Sequence, residues 1–358
     1  MTNDDKPKRR WLLKRIMLSG IILGTSSFCT FGQLVKGLDA KQIGSANDFS
    51  FAFITDIHIS PNLDNLRDEE LPQQRNRLTD VSFIGFETAL SEIKKHNVDF
   101  VLTGGDNINT ESYYLPPVEG KLPVSVSGEE MTACTKRMHK ISSNIGMPVY
   151  YANGNHDVYS FPPVTREDSH FGSRFFAKHL GYQGKHYYSF DKNGWHFIVL
   201  NTYDGNGTKM LFTDKQIEWL KNDLKNMKVG TPVVVTGHTP FPINDKDAEQ
   251  SESIYRILKN YNVRLMLFGH LHAYHEFMWH DIPCVIGSSL SGAVWSLVRN
   301  VHDVDLGRIN KGTDQGYLIV SVTDGVISWK HYPFSYSIEK YYYQETGKRP
   351  FAKYQITN

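Results

Sequence analysis

Seven residues whose side chains commonly bind metal ions each follow a short apolar segment of this 358-residue chain. They are Asp56, His58, Asp106, Asn155, His238, His270 and His272. Imidazole nitrogens mixed with carboxylate and amide oxygens, without a thiolate, favour Mn, Fe or Zn over Ca or Cu(I). Seven protein ligands are too many for one catalytic ion with an open position, but they suit two ions that share a carboxylate. Residue types alone therefore indicate metal-assisted hydrolysis of a phosphate ester.

The segments that carry these residues share one pattern. Each is a run of β-branched, aromatic or aliphatic residues that ends at or near a polar ligand, often after a glycine, as in residues 149–154 and 232–237. Such runs are typical of buried strands. In an α/β protein, the carboxyl ends of the strands carry the functional groups. We therefore expect five strands to bring their polar residues together.

The remaining elements must position these strands. Apolar periodicity and capping residues predict helices over residues 78–96, 127–144, 214–227 and 248–260. Residues 186–190 and 195–201 form a predicted hairpin, and the pattern after His272 is purely β, at 283–286, 316–322 and 326–332. This mixture predicts an α/β fold with two packed mixed β-sheets flanked by helices. Two insertions, at 107–128 and 158–185, lie beside the ligand motifs.

Composition narrows the function further. The net charge of +1 argues against a dedicated nucleic-acid surface. The three cysteines, Cys29, Cys134 and Cys284, are too few for a disulfide scaffold or a cysteine-rich zinc cluster. We expect Cys134 and Cys284 to be buried thiols.

Residues 1–48 are predicted to be an export signal followed by a linker. A basic segment containing Arg9 and Arg10 precedes a weakly apolar stretch over residues 16–31, which is too short and polar for a firm membrane span. The paired arginines resemble the twin-arginine export signal. We therefore expect a periplasmic or other extracytoplasmic protein, with a weak cleavage site near Ala40. An uncleaved N-terminal membrane anchor is the alternative.

Five motifs, taken in chain order, resemble those of the calcineurin-like metallophosphoesterase superfamily. They are Asp-x-His at 56–58, Gly-Asp at 105–106, Gly-Asn-His-Asp at 154–157, Gly-His at 237–238 and Gly-His-x-His at 269–272. One Gly-Asp or Gly-His is common, whereas all five in this order are specific. The resemblance covers residues 51–332, and segments 292–295 and 312–317 are similar to exported bacterial members. It implies a four-layer α/β/β/α sandwich over residues 49–333, followed by a C-terminal tail at 334–358.

The resemblance also implies a role for each motif residue. A first metal ion is expected at Asp56, His58 and His272. A second ion is expected at Asn155, His238 and His270. Asp106 is expected to bridge the two ions, and His156 to stabilise the phosphoryl oxygens or to protonate the leaving group as a general acid. No catalytic role is expected for Asp157.

One residue departs from the pattern of several relatives. They carry an aspartate three residues after the bridging carboxylate, where it orients the catalytic imidazole, and this chain has Asn109 there. An amide accepts a hydrogen bond but does not stabilise an imidazolium by charge. His156 is therefore expected to be less basic or to be oriented by another group. Purple acid phosphatases have a metal-binding tyrosine at this offset, so a purple iron site is not expected here.

The sequence thus predicts a dinuclear-metal-dependent hydrolase of small-molecule phosphate esters, in which a metal-bound hydroxide attacks phosphorus. It leaves open whether the substrate is a monoester or a diester, which metals are bound and which oligomer forms. The alternative is a non-catalytic metal-binding module that retains the fold. A metalloprotease is not expected, because the chain has no His-Glu-x-x-His motif.

Overall fold

The computed structural model describes seven stretches of the chain: residues 48–59, 79–108, 128–158, 172–203, 212–243, 248–290 and 315–333. The predicted export signal, the C-terminal tail, Asn109 and the segments at 292–295 and 312–314 lie outside these stretches. So do residues 109–127 of the first insertion and residues 159–171 of the second. No helix among the described residues has the length and apolar character needed to cross a membrane.

The first sheet contains five strands in the spatial order β11-β10-β1-β2-β3. Their bounds are β1 (Phe49–Ile54), β2 (Phe100–Thr103), β3 (Val149–Tyr151), β10 (Gly316–Thr323) and β11 (Val326–Pro333). β1, β2 and β3 are parallel, whereas β10 pairs antiparallel with both β1 and β11. The carboxyl ends of β1, β2 and β3 therefore lie at one edge of this sheet.

The second sheet contains six strands in the spatial order β4-β5-β6-β7-β9-β8. Their bounds are β4 (Tyr188–Lys192), β5 (Trp195–Val199), β6 (Pro232–Thr236), β7 (Asn262–Phe268), β8 (His275–Trp279) and β9 (Ile282–Ile286). The four central strands are parallel, and the outer strands β4 and β8 are antiparallel to their neighbours. Both sheets are mixed, as the sequence predicts.

Successive side chains of β1 point to opposite faces of the sheet, so this strand contributes to two apolar cores. Phe51 and Phe53 of β1 face the second sheet, whereas Ala52 and Ile54 face the helices. Between the sheets, the Phe51 and Phe100 rings stack at a centroid distance of 4.9 Å, and Phe197 of β5 meets Phe51 edge-on at 5.4 Å. Aromatic rings prefer such offset and edge-to-face contacts, so this layer joins the sheets.

Helices cover the outer face of each sheet. They are α1 (Thr79–Lys94), α2 (Gly128–Ser143), α3 (Asn155–Val158), α4 (Gly172–His179), α5 (Asp214–Asn226) and α6 (Ala248–Leu258). Side chains of α1, α2 and α4 share a core with the first sheet, and those of α5 and α6 share one with the second. The prediction of two packed mixed sheets with helices outside is confirmed.

Three local features differ from the sequence-based expectation. α4 lies inside the predicted insertion at 158–185; it is only eight residues long, too short for helical periodicity to stand out, yet it buries Phe175 and Phe176. β8 was not expected, because this half-exposed edge strand lacks strict alternation. Thr213 caps α5 as predicted, but the Gln216 side chain bonds the backbone of Asn201 instead of completing the capping box. Cys134 and Cys284 are buried, as expected.

Candidate metal centre

The carboxyl ends of three strands from the first sheet and two from the second meet, and they bring all seven predicted ligands together. Two groups of histidine and aspartate side chains have one ligand atom per residue within 4.8 Å of one another. The first group is Asp56, His58, Asp106 and His272, and the second is Asp106, His238 and His270. Asp106 belongs to both, as expected of a bridging carboxylate.

The first group is organised around His272. Its Nε2 atom lies 3.1 Å from Asp56 Oδ1 and 3.1 Å from His58 Nε2. The His58 Nε2 atom in turn lies 3.7 Å from Asp106 Oδ2. Ligands bound at about 2.1 Å to one ion lie roughly 3 Å from each other. The spacing of these nitrogen and oxygen atoms therefore fits a single small cation.

The second group is organised around His238. Its Nε2 atom lies 3.0 Å from Asp106 Oδ2, 3.1 Å from Asn155 Oδ1 and 3.3 Å from His270 Nδ1. Its Nδ1–H donates to the carbonyl oxygen of Gly104 at 2.7 Å. A backbone acceptor on one ring nitrogen fixes the tautomer and directs the other nitrogen toward a metal. The uncharged amide of Asn155 thus lies beside the ligand atoms of this second group.

Burial and mutual repulsion keep two of the imidazoles neutral. Burial lowers the pKa of His270 to about 4, and His238 contributes to the shift. Burial also lowers the pKa of His58 well below its ordinary value, with a further contribution from His156. Neutral imidazole is the form that ligates metal ions, so these side chains are ready to bind without losing a proton.

The carboxylates show the opposite balance. Burial raises the pKa of Asp56, but His272 and His238 outweigh this effect and lower it to about 2. The pKa of Asp106 is likewise lowered well below the ordinary carboxyl value, because His238 and His156 outweigh the effect of burial.

His238 differs from the two neutral imidazoles. Burial lowers the pKa of His238, yet Asp106 and Asp56 raise it to about 9. A metal ion bound to Nε2 of His238 would displace that proton.

The backbone at this centre is strained. Five of the seven predicted ligands have a positive φ: Asp56 (54°), His58 (51°), Asp106 (51°), His270 (72°) and His272 (55°). For a residue with a Cβ, this conformation costs about 1–2 kcal/mol. Hydrogen bonds between the loops hold it, among them those from the N–H of Asp56 to Gly105 O and from the N–H of His58 to Asp106 O. Strain concentrated in this way is typical of functional sites.

Two motif glycines allow the loops to approach closely. A Cβ atom at Gly154 would lie 2.5 Å from the backbone nitrogen of Asp106 and 2.8 Å from the ring of His238. A Cβ atom at Gly269 would lie 2.7 Å from Asp56 Oδ2. Any side chain at either position would therefore displace a predicted ligand.

His156 lies beside the two groups but belongs to neither. Its backbone N–H donates to Asp106 Oδ1 at 2.8 Å, and its ring meets that of His58 edge-on at a centroid distance of 4.7 Å. Its side chain is 13% exposed, whereas those of His238 and His272 are 0% and 4% exposed. His156 thus has access to a bound molecule, as its predicted role requires.

Asp157, for which no catalytic role is expected, is fully buried and accepts four hydrogen bonds from the loops after β2 and β3. Burial and the nearby Asp106 raise the pKa of Asp157 to about 7, although three backbone N–H donors oppose the shift. Tyr203 was also missed: its ring centroid lies 6.3 Å from that of His238 and 6.2 Å from that of His270. Its position just after β5, at the same edge as the ligands, is the signal that would have found it.

Three further histidines lie outside both ligand groups and have other partners. His186 bonds the carbonyl oxygen of Ser173 at 2.7 Å, and His196 lies between Asp191 and Asp223. His275 lies on β8 and stacks on Phe277 at a centroid distance of 5.9 Å.

Sequence comparison relates the chain to known phosphoesterases. The chain is 31% identical over 145 residues to probable purple acid phosphatase 20 of Arabidopsis thaliana, a match that covers 36% of this chain but only 32% of that protein. The chain thus spans about a third of the length of this plant relative. It is 22% identical over 250 residues to a 3′,5′-cyclic-nucleotide phosphodiesterase of Nostoc, covering 65% of this chain and 75% of that protein.

A solved structure supports the fold. The crystal structure of a dimetal phosphatase from Danio rerio superposes with a TM-score of 0.55 at 13% identity, covering 80% of this chain and 96% of that one. At this identity the likeness concerns the fold alone. The family model for calcineurin-like phosphoesterases matches residues 49–274, which contain strands β1 to β7 and all seven predicted ligands. The chain belongs to the calcineurin-like phosphoesterase family.

Proposed function

We propose that this protein is a hydrolase of phosphate esters that works with two metal ions. The observation that carries the proposal is the pair of ligand groups that share Asp106, with the more exposed His156 beside them. Two adjacent cation sites with an imidazole beside them suit in-line displacement at phosphorus. The family and the relatives named above support a hydrolase of this class.

The residues present fit a pair of cations. Asp56, His58 and His272 would hold one ion, Asn155, His238 and His270 the other, and Asp106 both. When bound, such ions supply positive charge beside the phosphoryl oxygens and lower the pKa of a coordinated water. The donor set of nitrogens and oxygens favours Mn, Fe or Zn.

His156 has the proton-transfer role in this proposal. Its Nε2 atom lies 3.8 Å from Oδ2 of Asp106, the carboxylate that both ligand groups share. An imidazolium there donates to a phosphoryl oxygen or protonates the departing ester oxygen, a role that suits histidine near neutral pH. The hydrogen bond from the backbone N–H of His156 to Asp106 fixes the backbone from which the imidazole side chain extends.

The test is turnover of two model esters by metal-loaded protein. Protein loaded with Mn²⁺ is assayed with para-nitrophenyl phosphate and with bis-para-nitrophenyl phosphate, and the apoprotein serves as the control. We expect metal-dependent hydrolysis, and the ratio of the two rates assigns the enzyme to monoesters or diesters. If protein that binds two ions turns over neither ester, the alternative of a non-catalytic metal-binding module is favoured instead.

We also propose that the protein is exported and acts on a small-molecule substrate outside the cytoplasm. The support is the sequence layout around Arg9 and Arg10, which lies outside the described residues. Replacing both arginines by lysine should leave the protein in the cytoplasm, as measured by fractionation and immunoblot. Normal delivery of that variant would contradict the twin-arginine route.

A further inference from the structure

We propose that Asp157 is a positioning residue. It fixes the loops after β2 and β3 relative to each other and thereby places Asn155, the predicted amide ligand of the second ion. The inference rests on the proposed two-ion centre, but it does not depend on which ester is hydrolysed. Asp157 lies next to His156 in sequence, yet its carboxylate points into the protein and is fully buried.

The contacts of Asp157 join two loops that the chain separates by about 50 residues. Asp157 Oδ1 accepts the backbone N–H groups of Asn107 and Ile108, both at 2.9 Å. Asp157 Oδ2 accepts the N–H of Gly154 at 2.8 Å and Nδ2–H of Asn107 at 3.0 Å. Nδ2 of Asn107 also donates to Ala152 O at 2.7 Å. One carboxylate therefore bonds the residue after Asp106 and the residue before Asn155.

Asn155 is held from both sides by this arrangement. The N–H of Gly154, on one side, is bound by Asp157, and the N–H of His156, on the other, is bound by Asp106 Oδ1. The Asn155 side chain is consequently placed so that its Oδ1 atom lies 3.1 Å from both His238 and His270. Supporting groups that orient a metal ligand typically affect metal affinity by 10- to 100-fold.

The first ligand group has supports of its own. Asp56 accepts the backbone N–H of His270 at 3.1 Å and the Thr55 hydroxyl at 2.7 Å. The Asp106 loop is tied to the loop after β1 by the bond from the N–H of His58 to Asp106 O. Loss of the Asp157 contacts should therefore weaken one ion much more than the other.

The test is Asp157→Asn, which keeps the size of the side chain but replaces one acceptor oxygen with an NH2 group. That group would face N–H donors, so about half of the contacts are lost. We expect Mn²⁺ titration calorimetry to show an affinity for the second ion about 10- to 100-fold lower, with the first ion retained. In turnover assays kcat should fall while KM is unchanged, and excess Mn²⁺ should restore kcat.

Asp223→Asn is the matched control, because Asp223 is also a mostly buried carboxylate with polar partners but lies on α5, away from the ligands. It should lower thermal stability and leave both ions bound. If Asp157→Asn does not fold, Asn107→Ala removes one of the four donors and should give a smaller loss of the second ion alone. Equal weakening of both ions, or unchanged binding of the second, would overturn the proposal. Wild type that binds two ions but hydrolyses no ester would overturn the proposed function and leave this result standing.

Discussion

Two assemblies of histidine and aspartate among the described residues are built in opposite ways. One is the metal centre. The other, which we call the His196 cluster, consists of Ser189, Asp191, His196 and Asp223 on β4, β5 and α5. There the two ring nitrogens of His196 bond Asp191 at 2.6 Å and Asp223 at 2.8 Å, and the Ser189 hydroxyl bonds Asp223 at 2.7 Å. Each ring nitrogen therefore has a carboxylate partner.

At the metal centre, by contrast, ring nitrogens converge on one another. His58 Nε2 and His272 Nε2 lie 3.1 Å apart, and His238 Nε2 and His270 Nδ1 lie 3.3 Å apart. The backbone differs too, since none of Asp191, His196 and Asp223 has a positive φ. Residue type alone therefore does not distinguish a metal site from a structural cluster. Convergence of ring nitrogens at strained backbone positions favours a metal site, because a bound cation would compensate the repulsion between their lone pairs.

The largest expected effect comes from the residue that both ligand groups share. Asp106→Asn removes the bridging charge, and a neutral amide is a poor bridge, so we expect loss of both ions and of detectable turnover. Elemental analysis of the purified variant measures the metal content. Wild-type stoichiometry would contradict the shared role of Asp106. Asp223→Asn, in the His196 cluster, is the comparison that should retain both ions.

His156→Ala should separate catalysis from metal binding. The side chain lies outside both ligand groups, so the variant should retain two ions while kcat falls about 10³-fold, as expected for loss of a general acid. Steady-state kinetics and elemental analysis on the same preparation check both parts. A parallel loss of metal would mean that His156 is a ligand.

The sequence predicts features that depend on local patterns, but not contacts that form between distant loops. The strands, the two mixed sheets and the ligand residues follow from local patterns, because apolar runs that end in Asp or His are visible in the chain. The buried bonds of Asp157 are not visible, since four donors from two distant loops must be folded before they meet. Nor does any residue type reveal the positive φ of His58 or His270. β8 was missed because an edge strand needs no strict alternation.

Metal removal should destabilise the protein. If the ions bind only the folded centre, saturation at about 100 times the dissociation constant adds roughly 2.7 kcal/mol per ion to the free energy of unfolding. Chelation should therefore lower the melting temperature of the wild type in calorimetry. Asp106→Asn, which is expected to bind no ions, should melt at the same temperature with and without the chelator. An equal response of both proteins would contradict the account.

The smallest effect concerns the His196 cluster and depends on pH. Burial lowers the pKa of His196, but hydrogen bonds to Asp223 and Asp191 outweigh it and raise the pKa. When the pKa of a histidine is higher in the folded state, its protonation stabilises the fold. This stabilisation is fully present below the unfolded-state pKa of about 6.5, and it is lost as the pH rises through the folded-state pKa. His196→Gln should thus cost about 1–2 kcal/mol at about pH 5.5 and less at higher pH. Denaturant titrations across pH measure this; a cost that grows with pH would contradict it.

The central claim is that seven side chains hold two ions around Asp106, and anomalous scattering tests it most directly. Crystals of Mn²⁺-loaded protein, measured at the manganese absorption edge, should show two anomalous peaks. One should lie among Asp56, His58 and His272, and the other among Asn155, His238 and His270, with Asp106 in contact with both. A single peak, or two peaks that do not share Asp106, would contradict the account.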